Sequence, residues 1–277
     1  MIDGVWTALP NTRLWAADAS VLERTVSNLT VAGIHGLFIL GTTGQGNDVT
    51  ISMRMKMAER IVEAAGSGSR VITAVSANAP QDVRELVGHA QDLGVRGVAF
   101  TPPSYGSYND QELGLWLEEV LTGQSPSVEY YLYNIPGATS NRWNVPLVKL
   151  ADKLTPIAGI KDSSGNIQQL CEFLAWTSPR GASLMVGDER LGLYGLLMGA
   201  TGLVSGLSAA YPKLLSQLHA AAAKRDWDTC VSLQAEVNQR LHELSASASS
   251  SRDSVRVLVE WMNQNGVTGQ TDSRRAF

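Results

Sequence analysis

Glu129-Tyr130-Tyr131-Leu132-Tyr133, then Val145–Leu154, then Ile157-Ala158-Gly159-Ile160-Lys161 decide how this chain is read. The two outer runs are short, largely apolar and followed by turn-forming residues. Parallel strands buried on both faces read this way. The stretch between them has a helical pattern. The same unit repeats in both directions. Upstream lie strand-like runs at Val5–Leu9, Gly36–Leu40, Val71–Val75 and Gly97–Thr101, and downstream at Ser183–Gly187 and Gly202–Ser205. Helical patterns fill the gaps near Ser20–Ala32, Ser52–Ala65, Asp110–Leu121, Asn166–Trp176 and Leu191–Met198. Another opens at Pro80, with Asn78 as a candidate cap. Eight strands with intervening helices predict an α/β fold, a (β/α)8 TIM barrel. The alternative is a doubly wound open sheet. Nearly regular spacing favours closure, and no GxGxxG or GxxxxGK[ST] motif opens an early helix.

After the eighth strand the pattern turns helical, at Pro212–Ala223, Trp227–Leu244 and Asp253–Asn263. The expected organisation is a barrel over residues 1–210, carrying the site, and a small C-terminal helical appendage over 211–277. Ser245–Ser251 reads as a loop. Val267–Phe277 has no clear period and reads as a mobile tail.

Composition narrows the function. The net charge is −4, with 17% charged and 44% apolar residues. A mildly acidic chain has no general attraction for phosphate backbones, which argues against nucleic acid as a partner. No apolar run reaches the ~20 residues of a membrane span. No basic stretch followed by a long apolar core opens the chain, so a cytoplasmic location is expected. Cys171 and Cys230 lie far apart and read as thiols in a reducing compartment. His35, His89, His219 and His242 are scattered, so no metal site is expected.

In barrels of this kind the active site lies at the C-terminal ends of the strands. Polar residues gather there: Gly41-Thr42-Thr43-Gly44 after strand two, Tyr105 after strand four, Tyr133 and Lys161 ending strands five and six, and Asp188-Glu189-Arg190 after strand seven. Side chains alternate along a strand. If Lys161 points inward, so do Gly159 and Ile157, while Ile160 and Ala158 face the helices. Tyr133 and Tyr131 share one face of the neighbouring strand. Burial among apolar walls favours the neutral amine that attacks a ketone to form a Schiff base. A neighbouring phenol can move the protons of carbinolamine collapse and C–C cleavage. The plainer reading is a solvent-seeking lysine at a strand end and a tyrosine in the core. Gly41–Gly44 offers two hydroxyls and several backbone N–H groups to a small carboxylate, although a simple strand-to-loop turn would look the same.

Four segments together carry a resemblance: Gly41-Thr42-Thr43-Gly44, Thr101-Pro102-Pro103-Ser104-Tyr105, Tyr133-Asn134-Ile135-Pro136 and Gly159-Ile160-Lys161-Asp162-Ser163. In this order the chain resembles the dihydrodipicolinate synthase and N-acetylneuraminate lyase family over nearly its whole length. The resemblance implies Lys161 as the Schiff-base lysine and Tyr133 as the proton-handling phenol. It implies Thr42 and Thr43 as the pair that binds the pyruvate carboxylate and relays protons. Tyr105 matches the tyrosine that reaches into a neighbouring subunit's site, and the backbone around Val204 the wall of the pyruvate pocket. Gly187 matches the glycine after strand seven, and Ser163 a position that contacts substrate hydroxyls in the sialic acid lyases. Glu189 and Arg190 stand where those lyases recognise distal hydroxyls. An arginine there suits a hydroxyl or a second anion, or simply faces solvent at a helix start.

The departures shape the substrate. Dihydrodipicolinate synthases carry an arginine shortly after the YN(V/I)P motif, where this chain has Ala138 followed by Thr139. That looks more like the 2-keto-3-deoxygluconate aldolases. The usual glutamate after GTTG is Gln45, followed by Gly46, and the usual Thr-Pro-Phe after strand one is Pro10-Asn11-Thr12-Arg13-Leu14. The expected protein is thus a cofactor-free aldolase acting on a 2-oxo acid and an aldehyde, as a homo-oligomer, dimer or tetramer. A sialic acid lyase, a dihydrodipicolinate synthase or a sugar-acid dehydratase is the alternative within the family. Outside it stands a non-catalytic pyruvate-binding sensor, which would have no need of a reactive amine.

Overall fold

The structure is a computed structural model and describes residues 1–11, 18–250 and 252–269. Eight parallel strands close into a barrel in chain order. They are β1 (Gly4–Ala8), β2 (Gly36–Ile39), β3 (Val71–Ala74), β4 (Gly97–Phe100), β5 (Glu129–Asn134), β6 (Ile157–Asp162), β7 (Ser183–Val186) and β8 (Gly202–Ser205). Closure is made by β1 against β8, from Gly4↔Gly202 to Thr7↔Ser205. This sets the open sheet aside. Between the strands run α1 (Ala19–Val31), α2 (Ile51–Ala65), α3 (Pro80–Asp92), α4 (Asp110–Leu121), α5 (Val145–Leu154), α6 (Ile167–Thr177) and α7 (Gly192–Met198). After β8 come α8 (Pro212–Ala223), α9 (Trp227–Ser247) and α10 (Asp253–Gln264). α8 packs on β1 and β8, in the place of the barrel's eighth helix, and α9 packs on α8 and α10.

Local chemistry starts these helices where they start. Asp18, Thr50, Asn144 and Asn166 each accept a backbone N–H of the first turn of α1, α2, α5 and α6. Asn109 and Glu112 form a full capping box on α4. Each such cap contributes about 1 kcal/mol. The cap expected for α3 is different. Its flanking residue is Ala79, with no side-chain cap. Asn78 Oδ1 instead accepts from Ser104 N at 2.8 Å and Tyr105 N at 3.1 Å, pinning the loop after β4.

Two apolar regions form. One fills the space between strands and helices, and the other fills the barrel with inward residues such as Trp6, Phe38, Ile72, Tyr131, Tyr133 and Val204. Strict alternation fails at one place on β6. The β5–β6 register shifts between Tyr130 and Tyr131, so that Tyr130 pairs with Ile157 and Tyr131 with Gly159. Ile157 therefore packs on the helix side, and Ala158 against the interior, the reverse of the expectation. Beyond the irregularity the alternation holds, and Ile160 faces the helices.

Two C-terminal expectations also change. α9 continues to Ser247, so the loop expected at Ser245–Ser251 is shorter. Val267 and Thr268, expected in a mobile tail, are buried, and Thr268 Oγ1 donates to Asn263 Oδ1 at 2.6 Å. Residues 270–277 of that tail, and Thr12, Arg13 and Leu14 after β1, lie outside the described residues.

Candidate active site

Lys161 and Tyr133 are paired in register near the C-terminal ends of β6 and β5. Both face the barrel interior. Lys161 is only 5% exposed. Its Nζ lies 3.9 Å from the centre of the Tyr133 ring and 4.0 Å from that of Phe38. The two rings meet edge-on at 5.6 Å. The amine is thus held in an aromatic cleft at the catalytic end of the barrel. Phe38 was not singled out from the sequence, although alternation along Gly36-Leu37-Phe38-Ile39 puts it on the inward face.

The two inward tyrosines of β5 differ in surroundings. The Tyr131 hydroxyl donates to the Glu129 carboxylate, which Arg96 also holds. Burial, with the Glu129 partnership, pushes that phenol far above its ordinary range. Tyr133 instead meets Thr42, hydroxyl to hydroxyl at 3.3 Å.

The loop that carries Thr42 folds back on the end of β2. Leu40 adopts a left-handed backbone, φ 59°. A Cβ on Gly46 would fall 2.0 Å from the Leu40 carbonyl oxygen. The backbone itself is the obstacle, so Gly46 is required by this turn whatever the substrate. Gly46→Ala is expected to lower stability by about 1–3 kcal/mol through overpacking, as read by denaturant unfolding. An unchanged midpoint would show that the loop yields freely. Thr43 lies on the other side of the loop, where a methyl on Gly206 would meet its Oγ1 at 3.4 Å. Of the two threonines expected to bind the carboxylate and relay protons, Thr42 is the one whose hydroxyl meets Tyr133.

A cavity of about 410 Å³ opens above Tyr133, at the ends of β2 to β5. Its lining includes Thr42, Gln45, Ser76, Thr101, Thr139 and Ala138. Lys161 does not line it. Tyr133 lines the cavity and touches the amine, and so joins the two. On the far side of Lys161, a Cβ on Gly187 would fall 2.0 Å from Ser163 Oγ and 3.1 Å from Lys161 Cε. Gly187 and Ser163 thus flank the lysine, and Val204 is buried in the same interior.

Three expected residues stand apart. Tyr105 is 82% exposed, on a loop that faces solvent from Ser104 to Asp110. Glu189 turns inward to its own chain, where Oε1 accepts from Ser205 Oγ at 2.9 Å and Leu207 N at 3.1 Å. Arg190 is exposed and forks onto Asp188, with Nε to Oδ1 at 2.8 Å. Asp188 holds its guanidinium above the usual range.

Asp48 and Arg252 were not singled out from the sequence, yet both border the cavity and form an ion pair. They are 204 positions apart. Arg142, four residues after Ala138, is exposed and does not line the cavity. Directly behind Lys161, Asp162 is buried. Burial pushes its carboxyl above the ordinary range, while hydrogen bonds from Asn134 and Ser164 pull it back. No group of three or more His, Cys, Asp or Glu among the described residues is placed to hold a metal.

A family model for the dihydrodipicolinate synthetase family matches residues 7–275. The chain belongs to that family. A 4-hydroxy-tetrahydrodipicolinate synthase of Bartonella bacilliformis is 30% identical over 252 residues, 89% of this chain and 83% of the relative. Among solved structures, dihydrodipicolinate synthase from Bacteroides thetaiotaomicron superposes with a TM-score of 0.86 at 25% identity, covering 96% of this chain and 89% of the other. A sialic acid aldolase of Ruminococcus gnavus shares the fold, with a TM-score of 0.83 at 20% identity over 90% of this chain and 82% of the other. Family members are pyruvate-dependent class I aldolases of the carbon–carbon lyase class, and this chain is an enzyme of that class.

Proposed function

We propose that the protein cleaves or forms a 2-keto-3-deoxy sugar acid, with pyruvate as one partner and Lys161 as nucleophile. The observation that carries this is the Lys161–Tyr133 pair, in register at adjacent strand ends and in contact beneath a hydroxyl-rich cavity. Lys161 Nζ attacks the ketone carbon of the 2-oxo acid, and the carbinolamine loses water to give the imine. In the cleavage direction the hydroxyl on the carbon that becomes the aldehyde loses its proton. The C–C bond electrons pass into the imine, the aldehyde leaves, and an enamine remains. The enamine takes a proton at carbon, and water releases pyruvate. Tyr133, hydrogen-bonded to Thr42, supports these proton transfers.

The lining supports this substrate class. Thr42, Ser76, Thr101 and Thr139 suit a polyhydroxy chain. Among the described residues the lining cation is Arg252, which already faces Asp48. Among these residues a second carboxylate would find neither an arginine at Ala138 nor an unpaired one elsewhere on that lining, and would forgo a charge-assisted hydrogen bond. Assembly into a dimer or tetramer and a cytoplasmic location complete the proposal. The outward Tyr105 suits a contact between copies. Among the described residues no helix is long and apolar enough to cross a membrane.

The names of the relatives favour a second reading, dihydrodipicolinate synthesis from pyruvate and aspartate semialdehyde. The two readings separate in one assay. Turnover with pyruvate and aspartate semialdehyde is expected to be poor beside that with 2-keto-3-deoxygluconate, with N-acetylneuraminate as a third arm. If the semialdehyde is the best partner, the argument from Ala138 fails. If none reacts while a pyruvate imine forms, the substrate class is wrong and the chemistry stands.

A further inference from the structure

One residue beyond Tyr133 and Lys161, the same two strands carry a second pair. Asn134 and Asp162 are in register. Alternation turns them away from the barrel interior, toward the helices. Both are buried. Asn134 Nδ2 donates to Asp162 Oδ1 at 2.7 Å and to Gln169 Oε1 at 3.1 Å. Asn134 Oδ1 accepts from Trp143 N at 3.0 Å, and Gln169 Nε2 returns a bond to Trp143 O at 3.0 Å. Asp162 Oδ2 accepts from Ser164 Oγ at 2.9 Å. The backbone extends the web, with Ser163 N donating to Asn134 O at 2.8 Å and Gly187 N to Asp162 O at 2.7 Å.

A buried carboxylate is costly, and well-packed apolar side chains often hold two strands together at lower cost. Apolar contacts, however, are non-directional. Hydrogen bonds fix orientation, and a fully satisfied buried network rigidifies what it joins. Here the network sits directly behind the reactive pair. It ties β5 and β6 to Trp143 ahead of α5 and to Gln169 on α6. The twist of each strand end about its axis sets where Tyr133 and Lys161 point. Misplacement by an ångström costs such chemistry dearly.

We propose that Asn134 and Asp162 are positioning residues that hold Lys161 and Tyr133 face to face through their side-chain hydrogen bond. This rests on the reading of Lys161 as the nucleophile. The bond itself matters, and the charge of Asp162 does not.

Three isosteric variants test this, read by the rate at which borohydride traps pyruvate on the protein and by kcat, with a melting curve for each. Asn134→Asp sets two carboxylates against each other. It is expected to slow trapping and turnover at least about tenfold, because like charges at this range oppose each other and the donor is gone. Lowering the pH is expected to recover part of the loss, as the pair takes up a shared proton. Asp162→Asn keeps an acceptor toward Asn134 and offers its amide to Ser164 Oγ, so it should stay within about threefold of the parent. The double variant Asn134→Asp/Asp162→Asn restores a donor across the pair and should recover most of the rate.

Trapping at the parent rate in Asn134→Asp overturns the proposal. So does a folded double variant as slow as the single one, or a tenfold loss in folded Asp162→Asn. If Asn134→Asp does not fold, the other two variants decide. A parent protein that traps no pyruvate at all removes the reading of Lys161 as well, and is distinguished from these outcomes by that blank.

Discussion

Pyruvate and borohydride together are expected to add a reduced pyruvyl group at Lys161, and Lys161→Ala to abolish the adduct along with turnover. The amine is 5% exposed on the inward face of β6, between the rings of Phe38 and Tyr133. The two rings flank Nζ at about equal distance, which gives the side chain a defined resting place. An amine that has formed an imine becomes, after reduction, a secondary amine that hydrolysis no longer reverses. Peptide mass measurement then reports the residue directly. Alanine keeps the strand and removes the nucleophile. The remaining groups cannot supply the imine that serves as electron sink, so the loss is of the route itself rather than of one contribution to it. A label on another lysine, or none, would remove the mechanism.

The barrel was legible because each of its strands is buried on both faces and stands out as an apolar run. Every strand begins and ends within one residue of its expected bounds. Lys161 and Tyr133 were legible as inward-facing residues through alternation along their strands, and both are buried in contact with each other. What failed depended on contacts between distant segments. The shift at Tyr130/Tyr131 reversed Ile157 and Ala158. It is a backbone event between strands and leaves no mark in side-chain pattern. Asn78 looked like a helix cap, yet its acceptor was taken by the loop after β4. Glu189 looked available to a substrate, but Ser205 and Leu207 engage it. Gly46 was noted as the residue after Gln45, and the Leu40 carbonyl oxygen is what requires a glycine there. Ser245–Ser247 looked like loop composition, and the helix ran on through it. Residue type alone states which chemistry a side chain can perform. Its partners decide which it does.

Tyr133→Phe is expected to leave imine formation possible but slow, and to lower turnover by roughly 10²–10⁴-fold, the range for lost acid–base catalysis. Few substitutions isolate a proton so cleanly. Phenylalanine keeps the ring that meets Phe38 edge-on at 5.6 Å and covers Lys161 Nζ at 3.9 Å. Packing and the resting place of the amine are therefore retained. What goes is one hydroxyl, together with its 3.3 Å link to Thr42. Carbinolamine formation, loss of water and C–C cleavage each move a proton, and Tyr133 is in contact with the amine that would carry the imine. Water in the cavity can substitute for the phenol, with less favourable geometry, which is why a slow reaction is expected to survive. The measurement pairs steady-state turnover with single-turnover trapping by borohydride. If both steps slow, the hydroxyl serves imine formation as well as cleavage. If only turnover falls, its part is confined to the later proton transfers. Full activity in a folded Tyr133→Phe protein would show that this tyrosine packs against the lysine and does nothing more, and the proton would then have to be carried by another group at the cavity, with Thr42 the nearest hydroxyl to test.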